Sequence, residues 1–498
     1  MIRRAILEAG LALTVLFATT AFGASPEWAS GVFVTASYFL FVLYLFPFHA
    51  DQSLERPSPK ACLAVGILAA IPVAQLIPLP AWFLRLVSPV HDAFVTPLLR
   101  EGLLPDSLFR GMASVCPFAT WIQLRVFVAV LILFLIGRAL FADAGSRSRF
   151  LGLLAVIGLF QASFGLLQYF GVFPQFLPDG TDRAIQCASG TYVNRDHFSG
   201  LLEMCIPVLL GLAYTYFATR ILPEIPYVTT RISEAFFHHR TPLFLLLIFL
   251  AAIMGLGVVF SLSRSGIFCL TATVVFLAVL VFNKHRRGKV NAFVLSFAFL
   301  VLGYSAWIGV DEVLRRFGQL ATRDVLNADS RFQAWQDTLE LVRDYPVTGT
   351  GLGTFYYAFN RYESVPGERV FTHAHNDYLE YVAELGAPGG LFLIVCVVFL
   401  LVRGVRIFFR TSNPRLSGVS LGACGAVFAI LLHSVTDFNL QIPANMAVFS
   451  LLLAVLASVA VVHRREEALA PPAEDEEAET EDLGPEEDYD EDDFIHDD

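Results

Sequence analysis

The chain has 498 residues, of which 56% are hydrophobic and only 16% are charged, and its mean hydropathy is +0.62. This composition excludes a soluble globular protein. The formal net charge is −11, but residues 474–498 hold 16 of the 45 acidic side chains and neither Lys nor Arg. The rest of the chain, with 29 acidic residues against 34 basic ones, is therefore net basic.

Runs of about 20 apolar residues recur along the chain, and each can cross the roughly 30 Å hydrocarbon core of a membrane. Inside lipid every backbone polar group needs a partner within the segment, so such runs form helices. We therefore predict an all-α polytopic membrane protein with about twelve transmembrane helices. They lie at residues 5–23, 31–49, 60–79, 119–141, 150–171, 198–218, 242–260, 266–283, 290–309, 387–409, 417–436 and 443–462.

The predicted topology follows from the Lys and Arg residues of the connections. Basic residues collect on alternate connections, for example at 284–287, 403–415 and 464–465. An excess of Lys and Arg marks cytoplasmic loops, which predicts that both termini are cytoplasmic. The chain then divides into a transmembrane domain, 1–463, and an acidic, disordered cytoplasmic tail, 464–498.

The opposite, outer face carries the longer connections, of which the largest is a helical loop at 310–386. Residues 81–99 are typical of an amphipathic helix in the membrane interface, with Trp82 among its anchors. A second helix is predicted at 331–343, with Asp329 or Ser330 as its N-cap. Its apolar face recurs at helical spacing and consists of Phe332, Trp335, Leu339 and Val342.

Polar residues near the outer ends of two spans are further candidates. A Gly-Thr-Tyr-Val-Asn block ending at Asn194 precedes the sixth span, and its ordinary interpretation is a capped helix start. Arg125 and Glu203 lie about five or six residues inside the outer ends of their spans. The sequence leaves open whether these two residues line a polar cleft or pair with each other.

Two arginines on the outer face suggest an anion site. Arg264 lies in a tight turn, 261–265, between two apolar runs, and a charge at membrane depth costs about 2.5–3.5 kcal/mol on insertion scales. Arg331 opens the helix that carries Trp335. Each has an ordinary interpretation, the first as a snorkelling interface arginine and the second as a surface residue. Together they form a candidate clamp for a pyrophosphate, which guanidinium groups bind bidentately.

The densest polar segment begins with His373 and continues to Glu384. Asn376 or Asp377 caps a predicted helix, Gly386 fits the position that ends it, and the next helix begins near Pro388. His375 then lies near the membrane surface, where it can accept a proton from an attacking hydroxyl near neutral pH. A structural loop histidine, or a metal site built on His373 and His375, are the alternatives.

These residues resemble the superfamily of O-antigen ligases, O-antigen polymerases and bacterial O-oligosaccharyltransferases. The ligase motif is His-(Asn/Ser/Gln)-x9-Gly-x-x-Gly, and the segment from His375-Asn376 to Gly386-Ala387-Pro388-Gly389 fits it without a gap. Similar blocks follow the family's order at 188–200, 263–266, 331–353 and 433–443. Asp196 departs from the pattern, because relatives often have Asn there.

The resemblance implies an all-helical C-class glycosyltransferase that is metal-independent, needs no cofactor and inverts the anomeric centre. Its donor would be a glycan on undecaprenyl pyrophosphate in the outer leaflet of a bacterial inner membrane, facing a periplasmic active site. His375 would deprotonate or orient the acceptor hydroxyl, and Arg264 and Arg331 would bind the pyrophosphate. The substrate-binding candidates are Asn376, Asn194, Arg125, Trp335 and Asp437.

Ligation to lipid A-core is the leading expectation, ahead of polymerisation of O-antigen or exopolysaccharide and of protein O-glycosylation. These activities share the donor and differ in the acceptor, which is lipid A-core, a glycan or a protein. Membrane lipids are expected partners and nucleic acid is not. A non-enzymatic lipid-glycan transporter would also need many spans, but transporter sites lie near the bilayer midplane. A zinc membrane hydrolase using His373 and His375 is a further alternative.

Overall fold

The computed structural model describes residues 2–46, 54–55, 58–102, 111–176, 186–224, 239–284, 330–364 and 371–469. These residues fold almost entirely into helices, and no strand occurs among them. The predicted all-α fold class is confirmed. The predicted span 290–309 and residues 470–498 of the predicted tail lie outside the described residues.

Fifteen helices of the described part are numbered in chain order. They are α1 (Ile2–Thr20), α2 (Glu27–Leu45), α3 (Pro59–Gln75), α4 (Ala81–Val87), α5 (Pro89–Arg100), α6 (Pro117–Leu140), α7 (Ala144–Tyr169), α8 (Arg195–Tyr216), α9 (Thr241–Phe260), α10 (Arg264–Lys284), α11 (330–344), α12 (Phe355–Phe359), α13 (Asp377–Arg410), α14 (Pro414–His433) and α15 (Pro443–Leu469). Short 3₁₀ turns join several of them.

Nine of the described helices are long and apolar enough to cross a membrane, namely α2, α6 to α10 and α13 to α15. Each coincides with a predicted span. The spans predicted at 5–23 and 60–79 are the helices α1 and α3. Helix α1 carries three charged residues near its start, and α3 has only 17 residues, because a Pro-rich stretch follows its end.

The centre of the bundle is formed by α14 and α15. In their most apolar stretches 78% and 89% of the residues are buried, against 22% in α2, which therefore lies at the periphery. Helix α8 packs along α14, and α6 packs along α15. Helices α14 and α15 are thus surrounded by the rest of the protein, and the connection between them, residues 434–442, is held in place.

One buried amide in α15 ties this centre to its surroundings. The Asn445 side-chain nitrogen donates to the His197 carbonyl oxygen at 2.9 Å and to Asn439 Oδ1 at 3.0 Å. Asn445 Oδ1 accepts from the Tyr192 hydroxyl at 2.9 Å. A buried amide without such partners would cost about 1–3 kcal/mol, so these bonds fix α15 against α8 and the residues before it.

Helix α13 changes direction at Gly386, whose φ of 73° and ψ of 163° lie in a region essentially reserved for glycine. The carbonyl oxygens of Ala383 and Glu384 accept hydrogen bonds from the backbone N–H groups of Thr350 and Gly351, at 2.9 and 3.0 Å. The glycine turn of the large loop is therefore docked against the kink, and the predicted break between two helices at this point is confirmed.

Three predicted elements differ from the structure in their bounds. The interfacial helix 81–99 is broken into α4 and α5 at Ser88, because Pro89 disfavours helical conformation in the residue before it. The helix predicted at 331–343 covers 330–344, and its predicted cap Asp329 lies outside the described residues. Helix α15 continues to Leu469, so the first residues of the predicted tail are helical.

Replacing Gly386 with Ala should destabilise the protein by at least about 1–3 kcal/mol. Alanine is strained at this φ, and its Cβ would lie 2.2 Å from the Val347 carbonyl oxygen. Thermal unfolding of the purified protein in detergent should show a lower Tm.

The matched control is Gly152→Ala in α7, where a Cβ would meet open space. Alanine stabilises a helix interior by about 0.5–1 kcal/mol relative to glycine, so the Tm of this variant should stay unchanged or rise. Equal Tm values for Gly386→Ala and the unmodified protein would show that the kink does not need glycine.

Candidate active site

The candidate site is built around His375 and Asp437 at one end of the bundle. His375 Nδ1 lies 3.3 Å from Asp437 Oδ1, and the His375 side chain is 25% exposed while that of Asp437 is 3% exposed. His375 has a φ of 48°, in the left-handed region, and the next residue, Asn376, caps α13. The imidazole thus reaches the surface with its partner carboxylate buried beneath it. We call this end of the bundle the histidine end.

Neighbouring histidines keep Asp437 ionised. Burial acts to raise the pKa of Asp437, but the hydrogen bond from His375 and the charges of His197 and His433 hold that pKa well below its usual range. An ionised carboxylate can only accept a hydrogen bond, so the His375 nitrogen that faces it, Nδ1, carries the proton and donates. The other ring nitrogen, Nε2, is then left as a base.

The Phe438 ring packs among three imidazoles. It stacks on His373 with ring centroids 4.1 Å apart and meets His375 and His197 edge-on at 4.9 and 4.7 Å. His373 Nδ1 lies 2.7 Å from Glu380 Oε1. Burial acts to lower the pKa of His373, but Glu380 outweighs it and raises that pKa. The two histidines of the possible metal pair therefore face different carboxylates and do not converge on one point.

A second buried pair lies beneath the first. His433, the last residue of α14, and Glu203, in α8, are both fully buried, and His433 Nδ1 lies 3.1 Å from each Glu203 carboxylate oxygen. His433 Nε2 lies 3.0 Å from Ser265 Oγ and 3.8 Å from Asp437 Oδ2. His433 is therefore the link between Glu203, the start of α10 and the Asp437 carboxylate.

Glu203 was expected either to line a cleft with Arg125 or to pair with it. The structure pairs Glu203 with His433 instead, and Arg125 lies exposed on α6, where its charge acts on Tyr38 of α2. Residues two apart on a helix point in nearly opposite directions, and it is Gln123 that faces the turn at Gln441, at 3.5 Å. No contact among the described residues brings Arg125 to the histidine cluster.

Helix α11 holds both halves of the His375–Asp437 pair from outside. Trp335 Nε1 donates to the Ala374 carbonyl oxygen at 2.9 Å, directly before His375. Arg331 Nη1 donates to the Thr436 carbonyl oxygen at 3.2 Å, directly before Asp437. Each member of the pair is thus fixed through the peptide group that precedes it.

Arg264 lies on the same side as this assembly. It is exposed at the first residue of α10, after a turn in which Leu262 has a φ of 59°. The next residue, Ser265, is the one that contacts His433. The tight turn predicted at 261–265 is confirmed, and it connects Arg264 to the buried network.

The two predicted asparagine ligands serve as helix caps. Asn376 Oδ1 accepts from the Leu379 backbone N–H at 3.1 Å, and Asn194 Oδ1 accepts from the Asp196 backbone N–H at 2.9 Å. A cap of this kind contributes about 0.5–2 kcal/mol. The ordinary interpretation of the Asn194 block as a capped helix start is therefore confirmed.

The acidic residues of the first part of α13 are buried and bind the surrounding loops. Asp377 Oδ2 accepts from Ser434 Oγ at 2.7 Å and from the Leu440 N–H at 3.1 Å. Glu380 Oε2 accepts from the Ala374 N–H at 2.8 Å, and Glu384 Oε1 from the Phe355 N–H at 3.0 Å. The three carboxyl groups thus fix the segments that surround the site and do not point into solvent.

The site residues named from the sequence did not include His433, and Glu203 was named only as a possible member of a polar cleft. The signal that could have found them is an ionisable residue within an apolar run, which usually has a partner or a functional role. Together with Cys269 they form a group whose donor atoms lie within 4.8 Å of one another, close enough for a metal ion. Both His433 nitrogens already face other side chains, so the geometry equally suits a hydrogen-bonded ion pair.

Residues 249–394 match the family model described as O-Antigen ligase. The matched region contains Arg264, Arg331, Trp335, His375 and Asn376, and it ends before Asp437. A search of the curated proteins gave no significant match.

The family points to a glycosyltransferase-type enzyme with a role in O-antigen or polysaccharide processing. The nine apolar helices of the described residues and this family match together point to a multi-pass membrane protein. The match confirms that the chain resembles the O-antigen ligase-like superfamily over residues 249–394.

Proposed function

We propose that the protein transfers a glycan from undecaprenyl pyrophosphate to an acceptor hydroxyl at the periplasmic face of a bacterial inner membrane, with lipid A-core as the acceptor. The observation that carries the proposal is the 3.3 Å contact between His375 Nδ1 and the buried Asp437 carboxylate, which leaves Nε2 at the surface as a base. The family match over the same loop supports it.

In the proposed reaction His375 Nε2 takes the proton of the acceptor hydroxyl as its oxygen attacks the anomeric carbon of the donor sugar. The bond from that carbon to the pyrophosphate oxygen breaks on the opposite face, so the anomeric configuration inverts. Asp437 stabilises the imidazolium that forms. A positioned general base of this kind contributes about 10²–10⁴-fold to the rate.

The leaving pyrophosphate needs electrostatic stabilisation more than a protein nucleophile. Arg264 and Arg331 supply it, because guanidinium groups bind phosphate oxygens bidentately and remain charged at all relevant pH values. Arg331 also donates to the backbone beside Asp437, so phosphate binding and the position of the base are connected through one side chain. The step as written uses no metal ion.

The remaining candidates take supporting roles. Trp335 holds the backbone before His375, and Asn376 caps the helix that follows it, so both position the base. Asn194 caps α8, the helix that carries Glu203. Arg125 faces Tyr38 on another surface and is left out of the proposed site.

The orientation of the chain is part of the proposal. The Lys and Arg excess on alternate connections places both termini in the cytoplasm, which puts the histidine end in the periplasm. Lipid-linked glycans would reach the site laterally between helices.

A strain from which the gene is deleted should accumulate full-length glycan on the undecaprenyl carrier and carry bare lipid A-core. Analysis of surface polysaccharide and of extracted lipid-linked intermediates would measure both. Accumulation of single repeat units would instead identify a polymerase. An unglycosylated protein fraction with normal lipopolysaccharide would identify a protein glycosyltransferase, and donor held at the cytoplasmic face would identify a transporter.

Replacing His375 with Ala should lower kcat by about 10²–10⁴-fold with little change in the KM for the donor, because the base is lost and pyrophosphate binding is retained. Asp437→Asn keeps the shape but removes the charge that fixes the tautomer of His375, so it should lower kcat as well. Transfer by purified protein from extracted lipid-linked glycan to acceptor would be followed by gel or mass spectrometry. His463→Ala, in the last part of α15, is the control that should keep full activity.

Replacing Arg331 with Ala should lower kcat/KM for the donor by about 10²-fold or more. Arg331→Lys should retain only part of the kcat/KM of the unmodified protein, because lysine binds phosphate as a point charge and not bidentately. The matched control is Arg343→Ala, which removes an exposed arginine from the other end of the same helix. Arg264→Ala should behave like Arg331→Ala. Full activity of both variants would remove the arginine clamp from the mechanism.

A further inference from the structure

A long groove runs between α3, α6, α13, α14 and α15, and none of the candidate histidines lines it. Its volume is about 770 Å³. The walls are almost entirely apolar, with Leu68, Phe134, Leu400 and Leu453 among the lining residues. At the histidine end the groove reaches Tyr378. At the opposite end, where α1 begins and α15 ends, it reaches the basic residues described below; we call this the terminal end.

The groove follows nearly the whole thickness of the membrane. Along α15, which is unbroken, it extends from Met446 to Arg464, which at about 1.5 Å per helical residue corresponds to roughly 27 Å. The hydrocarbon core is roughly 30 Å thick, and the chains of one leaflet fill about half of it. A lipid whose head lies at the terminal end would thus occupy only the half of the groove nearest that end.

Four cations line the terminal end of the groove, namely Lys60, Arg138, Arg403 and Arg464, and none of the described acidic side chains lines it there. Arg138 is only 5% exposed. The charges of Arg138 and Arg464 both act unfavourably on Arg403. Like charges held together at the edge of the hydrocarbon repel one another, and an anion between them would remove that repulsion.

The described acidic residues near this end have other partners. Glu8 pairs with Arg149, Glu55 with Arg465 and Glu467 with His463. Asp143 pairs with Arg4, and Glu466 accepts a hydrogen bond from Asn413. No ion pair within the described part of the chain involves Lys60, Arg403 or Arg464. The positive charges of Lys60, Arg403 and Arg464 are therefore not neutralised by the described acidic residues, and they are placed where a lipid phosphate would lie.

We propose that this groove binds an anionic phospholipid of the leaflet at the terminal end, with its phosphate among Arg403, Arg464 and Lys60 and its acyl chains along the apolar walls. Basic pockets between transmembrane helices recognise anionic headgroups in this way. A polyprenyl chain extending from the histidine end would fit the apolar walls, but it would bring no anion to Lys60, Arg403 and Arg464. The inference goes beyond the proposed glycan transfer and does not depend on it.

The test is native mass spectrometry of the full-length protein in detergent, titrated with phosphatidylglycerol or with phosphatidylethanolamine. The double variant Arg403→Gln/Arg464→Gln should bind phosphatidylglycerol about thirtyfold more weakly, because each cation at a lipid surface contributes roughly 1 kcal/mol. Its binding of phosphatidylethanolamine should stay within about twofold of the unmodified protein. Thermal unfolding without added lipid would verify that the variant is folded.

The matched control is Arg406→Gln/Arg410→Gln, which removes two exposed arginines from the same end of α13 outside the groove. It should leave phosphatidylglycerol binding unchanged, and equal losses in the two double variants would overturn the proposal in favour of general surface attraction. Ala64→Trp, which narrows the groove and keeps its charges, should also weaken binding. Displacement of phosphatidylglycerol by an uncharged polyprenol would overturn the proposal by assigning the groove to a prenyl chain.

Discussion

His433 is a buried imidazole on which the order of the histidine end depends. It lies between the Glu203 and Asp437 carboxylates, and none of the three side chains is more than 3% exposed. A charge in such surroundings costs several kcal/mol unless it is paired and hydrogen-bonded, so the three groups are stable only together. Because they come from α8, α14 and the turn after α14, their pairing fixes those elements at one point. Ser265 adds the start of α10 to the same point.

The proposed catalytic groups are attached to this point through short paths. The other carboxylate oxygen of Asp437, Oδ1, contacts His375. Ser265, which contacts His433, directly follows Arg264 in the chain. Helix α11 then closes the assembly from outside by donating to the two carbonyl groups that precede His375 and Asp437. The proposed base, His375, and the proposed anion-binding arginines are thus attached to groups that are themselves held in place. Groups fixed in this way stabilise charge in a transition state without having to rearrange during the reaction.

Local features of the chain could be predicted, whereas partners across the bundle could not. Apolar runs located the nine described helices that are long and apolar enough to cross a membrane, and Gly386 with its neighbours located the kink in α13, because both depend on residues close in sequence. The pairing of Glu203 with His433 joins residues 230 positions apart and depends on how α8 packs against α14. The sequence left open for the same reason whether Arg125 pairs with Glu203, since hydropathy does not determine which face of a buried helix meets which neighbour.

The distribution of buried charge favours an enzyme acting at a membrane surface over a transporter. Glu203 is buried within α8, and it is bonded to His433, the last residue of α14, close to the histidine end. The buried arginines, Arg138 and Arg147, lie near the opposite end. A transporter gathers its polar groups near the midplane, at broken helices that can move apart. Among the described membrane-crossing helices only α13 is broken, at Gly386. The glycine turn at Thr350 and Gly351 is hydrogen-bonded to the backbone at this kink, so the break forms part of a fixed site and not of a moving gate.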